Sequence, residues 1–129
     1  MNSSILGIGI DLVEVERIRR GIERHGERFI QRILCTNERV YCERMADPSP
    51  HVAARFAAKE AVSKAMGTGI GVGVHLHEIE VVRDGETGAP SIRLHGETKA
   101  TFEALGGGGI LITLSHTREH AIAQAIWVK

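Results

Sequence analysis

Aromatic side chains are scarce: three Phe, one Tyr and one Trp make up 4% of the chain. A sequence that is still 43% hydrophobic must then build its core from Ile, Leu, Val and Ala. Net charge is absent too, because 16 basic residues balance 16 acidic ones. That balance excludes a bulk attraction to nucleic acid, so a charged partner has to be read by a local patch. The apolar run near the start, Ile5 to Ile10, is far shorter than a membrane span and carries no basic leader. The expectation is a cytoplasmic protein without a membrane partner. Cysteine is limited to Cys35 and Cys42, seven positions apart in a helical pattern. Their Cα atoms would lie roughly 10 Å apart, too far for a disulfide. None of the seven histidines pairs with cysteine at a zinc-finger spacing. Nothing repeats and no linker divides the chain, which predicts one domain over residues 1–129, small enough to profit from association.

What is present alternates between two periods. Residues Ile5 to Ile10 read as a buried strand. Val15, Ile18, Ile22, Phe29 and Ile33 then recur at helical spacing, interrupted near Gly26. A second amphipathic segment runs from Cys35 to Met45, with Thr36 or Asn37 as its cap. The turn Asp47-Pro48-Ser49-Pro50 leads into a central helix, opened by Pro50 and closed at Gly67. Strands are predicted at His77–Arg83 and Ser91–Leu94, a helix at Glu97–Leu105, and two final strands at Ile110–Ser115 and Ala121–Val128. The fold class is α+β, a helical half set after a leading strand and followed by strands.

The chemistry concentrates in RFAAKEAVSKAMGTGIG, Arg55 to Gly71, and GIGIDLVEVERI, Gly7 to Ile18. Glu60 and Lys64 are four apart, which by itself describes a surface ion pair worth about 0.3–0.5 kcal/mol. The alanines around them let another backbone or a ligand come close. Asp11 and Glu60 together would also satisfy a hard divalent ion, which takes one or two protein carboxylates and completes its shell with water and phosphate. Asp11 could equally be the N-cap of the following helix. Gly67 to Gly73 offers N–H groups to a phosphate, with Lys59 and Lys64 offsetting the helix C-terminus, or is a plain C-cap and loop. GIGID lacks the third glycine of a dinucleotide fingerprint. His116, Glu119 and His120 spell an inverted zinc-peptidase motif, but the flanking β-branched runs make them a hairpin turn. Ser115 and His116 cannot work as nucleophile and base, because adjacent strand residues face opposite ways. Arg17, Arg20, Arg24 and Arg28 form a basic stripe, either a solvated face or a dock for an acidic helix.

Those two segments and the late LSHTREHAIAQA, in this order, closely resemble the bacterial holo-acyl-carrier-protein synthases, the small phosphopantetheinyl transferases. The resemblance spans essentially the whole chain, is weakest at residues 35–50 and 106–109, and also covers the turn with Gly88 and Pro90. It implies an antiparallel sheet packed by a helical half. It implies transfer of 4′-phosphopantetheine from coenzyme A to a serine of apo acyl carrier protein, in fatty acid biosynthesis. By the same resemblance Asp11 and Glu60 would hold Mg²⁺, with Glu60 and Lys64 catalytic and Lys64 on phosphate. Arg55, His116 and Thr117 would place the nucleotide, and Arg17 and Arg24 would dock the acidic carrier. A homotrimer with interfacial active sites is implied as well.

Overall fold

The computed structural model describes residues 4–129. Strand β1 (Ile5–Glu14) leads into helices α1 (Val15–His25), α2 (Glu27–Ile33), α3 (Thr36–Glu43) and the central α4 (Ser49–Ala65). A single 3₁₀ turn, Leu76–Glu78, precedes strands β2 (Ile79–Arg83) and β3 (Pro90–Leu94). Helix α5 (Gly96–Ala104) and strands β4 (Gly109–His116) and β5 (His120–Val128) complete the chain. Strands β1, β5 and β4 form one antiparallel sheet in that order, and β2 pairs with β3. The expected α+β class is what forms, and the HTREH segment is the β4–β5 turn.

Helix α4 lies across the three-stranded sheet on small residues. Ala53, Ala57, Ala58 and Ala61 are buried on its side, and Ala121, Ala123 and Ala125 on that of β5. The glycines of GIGID serve the same approach. A Cβ at Gly7 or Gly9 would lie 2.0 Å from the carbonyl oxygen of Ala65 or Ala61. These glycines exist for backbone contact, and the alanines admit a strand rather than a ligand. Val52 and Val62 are fully buried on α4, each stabilising by about 1.5–3 kcal/mol.

Three expectations change. The first strand runs on to Glu14, so Asp11 is neither at its end nor a helix cap. Pairing with β5 sustains it through Asp11↔Ala123 and Val13↔Ala121, a register that a ten-residue window of isolated apolar signal does not reveal. The basic stripe is broken, because the chain turns at Gly26 (φ 55°) and Arg28 belongs to α2. A Cβ at Gly21 would meet the Phe29 ring at 2.3 Å, so α2 folds back on α1. Lys59 faces no ligand. It is wholly buried, and its Nζ donates to Glu38 Oε1 at 2.6 Å and to the carbonyls of Leu76 and Ile79 at 3.1 and 2.5 Å.

Candidate active site

Alternation along β1 turns Gly7, Gly9, Asp11 and Val13 toward α4, while Ile8, Ile10 and Leu12 face outward and are exposed. Asp11 therefore arrives beside the last turns of α4. Lys64 Nζ donates to Asp11 Oδ1 and to the Ile10 carbonyl, both at 3.0 Å. The ion pair expected within the helix between Glu60 and Lys64 is thus replaced by one across to the strand. Glu60 stands half-buried next to it. Burial pushes its carboxyl up, the Asp11 charge adds to that, and Lys64 and Arg17 only partly compensate. The Asp11 charge therefore acts on a carboxyl that is itself partly desolvated, which favours the neutral form of Glu60.

Such a pair supplies two hard oxygen donors. No third His, Cys, Asp or Glu joins it among the described residues, which matches an ion that keeps water and substrate phosphate as its other ligands.

Arg55 and His116 come together elsewhere. They line a cleft of about 360 Å³ with His51, Arg83, Gly88 and Pro90. Arg55 is 5% exposed, and its guanidinium stacks on the Tyr41 ring with its carbon 4.4 Å from the centroid. Its Nη1 donates to the His51 carbonyl at 3.2 Å, and its buried Nε has no partner. Arg83 approaches the same ring at 5.3 Å and donates from Nη1 to the Tyr41 hydroxyl at 2.5 Å. Among the described residues, no carboxylate lines this cleft. Thr117 braces the adjoining turn: its N–H donates to the His120 carbonyl at 2.8 Å, and its hydroxyl accepts from the His120 N–H at 3.1 Å.

The cleft contains none of Asp11, Glu60 and Lys64. Five residues separate Arg55 from Glu60, which sets them roughly 140° apart around α4. One copy of the chain thus presents the two groups on different faces.

A second groove, of about 390 Å³, is lined by Arg17, Arg20, Arg24 and His25 beside Phe29 and Phe56, with Glu14 and Glu16 also in its wall, so that cations outnumber acids there. The Arg17 guanidinium carbon sits 5.6 Å from the Phe56 centroid. Arg17 also bears on the Glu60 carboxyl, so this basic groove borders the acidic pair.

The start of the glycine loop forms the C-cap that the sequence offered as one of its two readings. The N–H groups of Gly67, Thr68 and Gly69 donate to Lys64 and Ser63 carbonyls and close the end of α4. Tyr41, His51 and Arg83 escaped sequence reasoning altogether. Their one signal is that Tyr41 is the sole tyrosine, and nothing in the linear order ties it to residues 55 or 83.

Residues 7–125 match the 4′-phosphopantetheinyl transferase superfamily. The chain belongs to that superfamily. A holo-[acyl-carrier-protein] synthase of Ruminiclostridium cellulolyticum is 48% identical over 120 residues, covering 92% of this chain and 89% of the relative. Among solved structures, the holo-[acyl-carrier-protein] synthase of Neisseria meningitidis superposes with a TM-score of 0.89 at 32% identity. That match covers 97% of this chain and 99% of the other. The Helicobacter pylori synthase, solved in complex with coenzyme A, gives 0.82 at 32% identity, over 93% and 98% of the two chains.

Proposed function

We propose that the chain transfers 4′-phosphopantetheine from coenzyme A to a serine hydroxyl of apo acyl carrier protein, as a cytoplasmic enzyme of fatty acid biosynthesis. The observation that carries this reading is the crowded pair Asp11 and Glu60 beside Lys64, on a chain of a transferase superfamily.

The roles follow from the donor chemistry. Asp11 and Glu60 would hold Mg²⁺, for which two neighbouring carboxylates are a fitting donor set. The chemistry such an ion would supply there is neutralisation of the coenzyme A pyrophosphate and of the leaving group. Lys64 exchanges its bond to Asp11 for one to phosphate. The serine oxygen attacks the phosphorus that carries pantetheine. The bond from that phosphorus to the nucleotide oxygen breaks, and adenosine 3′,5′-bisphosphate leaves. Glu60, its carboxyl already pushed up by burial and by Asp11, accepts the serine proton directly or through a water it orients. Arg55 and His116 hold the nucleotide, with Thr117 fixing the turn that carries His116. Arg17 and Arg24 receive the acidic carrier in the groove beside Phe56, next to the reacting centre.

The two groups become one site when chains associate. A homotrimer would set the cleft of one copy against the acidic pair of its neighbour. Ile8, Ile10 and Leu12, exposed by 66, 57 and 64%, form with Leu111 and Ile122 an apolar sheet face that suits such an interface.

The test is to incubate the protein with apo acyl carrier protein, coenzyme A and Mg²⁺ and to weigh the carrier. A gain of one phosphopantetheine that disappears on metal chelation and in Asp11→Ala is expected. Full activity in a folded Asp11→Ala would sink the metal assignment. Coenzyme A binding without any transfer would leave a binding module instead.

A further inference from the structure

His51 stands in the first turn of α4, one turn before Arg55, and has no role in the transfer reaction as set out above. Its ring meets that of His116, from β4, edge to face with centroids 5.2 Å apart. Tyr41, from α3, meets the same ring edge-on at 6.1 Å. Arg55 of α4 and Arg83 of β2 bear on it as well. Against these, the carboxylate of Asp47, in the turn before α4, pulls the ring the other way. That carboxylate is already engaged by Arg19 at 2.8 Å and by the Ser49 N–H at 3.1 Å. Among the described residues, two guanidinium groups and two imidazoles therefore share a cleft lined by no carboxylate, with one buried N–H donor of Arg55 left unpartnered. Such an excess of donors awaits an anion.

Resting on the reading of this cleft as the nucleotide half of the site, we propose that His51 is a further substrate-contacting residue, taking up a proton when a nucleotide phosphate monoester enters. The step is balanced without breaking any bond of the ligand. The neutral ring gains a proton from solvent, becomes an imidazolium and gives the phosphate dianion a charged N–H donor. The free protein is poised for it. Burial first, then His116, Arg55 and Arg83, hold His51 below its ordinary value of 6.5, against a weak opposing pull from Asp47. A dianion among these groups cancels the two guanidinium charges, sets a negative group against the ring and lifts it back above that value.

Titration calorimetry with adenosine 3′,5′-bisphosphate, at fixed Mg²⁺ and in buffers of different ionisation enthalpy, reads the proton count directly. About pH 7 is the right condition, because the ligand phosphates are then mostly dianionic and contribute little. The whole protein should take up protons on binding, and its affinity should rise several-fold from about pH 8 to about pH 6.5. His51→Gln should lose most of both effects. His51→Phe should lose them too while keeping an aromatic ring against Tyr41 and His116, which separates titration from packing. Proton uptake unchanged in both variants would overturn the role of His51. Binding by the parent protein with no uptake would overturn it as well, with the nucleotide cleft standing. No binding of the bisphosphate at all would remove the cleft assignment and this inference together.

Discussion

Lys59 and Glu60 are neighbours in sequence with opposite fates, because successive residues on a helix point about 100° apart. Glu60 faces the strand carrying Asp11, whereas Lys59 goes into the core. There it meets Glu38, whose Oε1 also accepts the Cys35 N–H and whose Oε2 accepts the Val81 N–H, both at 3.0 Å. This network ties α3, α4 and β2 together. Burial lowers the Lys59 pKa and Glu38 works against that, so the pair survives by mutual compensation. Lys59→Met strands a buried carboxylate and is expected to destabilise the fold by about 3–5 kcal/mol. Adding Glu38→Gln should recover part of the loss. Urea unfolding measures both, and an unchanged midpoint in the single variant would show that the pair contributes nothing. The sequence offered Lys59, with Lys64, as a charge offsetting the helix C-terminus beside a phosphate, because KExxxK groups three charges in two turns. Only burial separates a structural lysine from a functional one.

At the scale of elements, α1 matters through what lies beside it. Arg17, Arg20 and Arg24 keep to one face, and Phe29 of α2 and Phe56 of α4 supply an apolar floor between them. A groove of cations over aromatic rings fits an amphipathic acidic helix better than a bare charged surface does. Arg24→Glu should raise the KM for the carrier about tenfold and leave that for coenzyme A unmoved. Arg17→Glu should raise it likewise and lower kcat in addition, because Arg17 also bears on Glu60. Steady-state kinetics with each substrate varied in turn provides the check. Equal changes in both KM values would dismiss the docking role. The stripe itself was legible from its spacing of three and four. Its end was not, because Gly26 takes a positive φ that turns the chain and removes Arg28.

For the whole molecule, Arg55 and His116 line a cleft that contains neither Asp11 nor Glu60, so the proposed reaction predicts a site shared between associated chains. Asp11→Ala and Arg55→Ala should each be nearly inactive alone. Mixed and allowed to exchange chains, they should regain a measurable share of turnover, since some interfaces then join an intact cleft to an intact acidic pair. Phosphopantetheine transfer by the mixture, followed by mass, decides it. A mixture as inactive as its parts would place both groups in one chain's site. The outward Ile and Leu residues of β1 belong to the same scale: alternation marks them as one face of a strand, while their exposure appears only once β5 and α4 occupy the rest.

Periodicity and punctuation in the sequence determined the elements, the α+β class and the hairpin reading of His116 to His120, because these depend on neighbours along the chain. The small residues of GIGID and of α4 were also visible there, though not as the two sides of one contact. Packing alone decided the rest. It drew Lys64 to Asp11 across 53 positions, spent the loop amides of residues 67 to 69 on the end of α4, and assembled Tyr41, His51, Arg55, Arg83 and His116 from four elements. Charge and desolvation act through space, and no local pattern encodes which distant side chain will share a desolvated pocket.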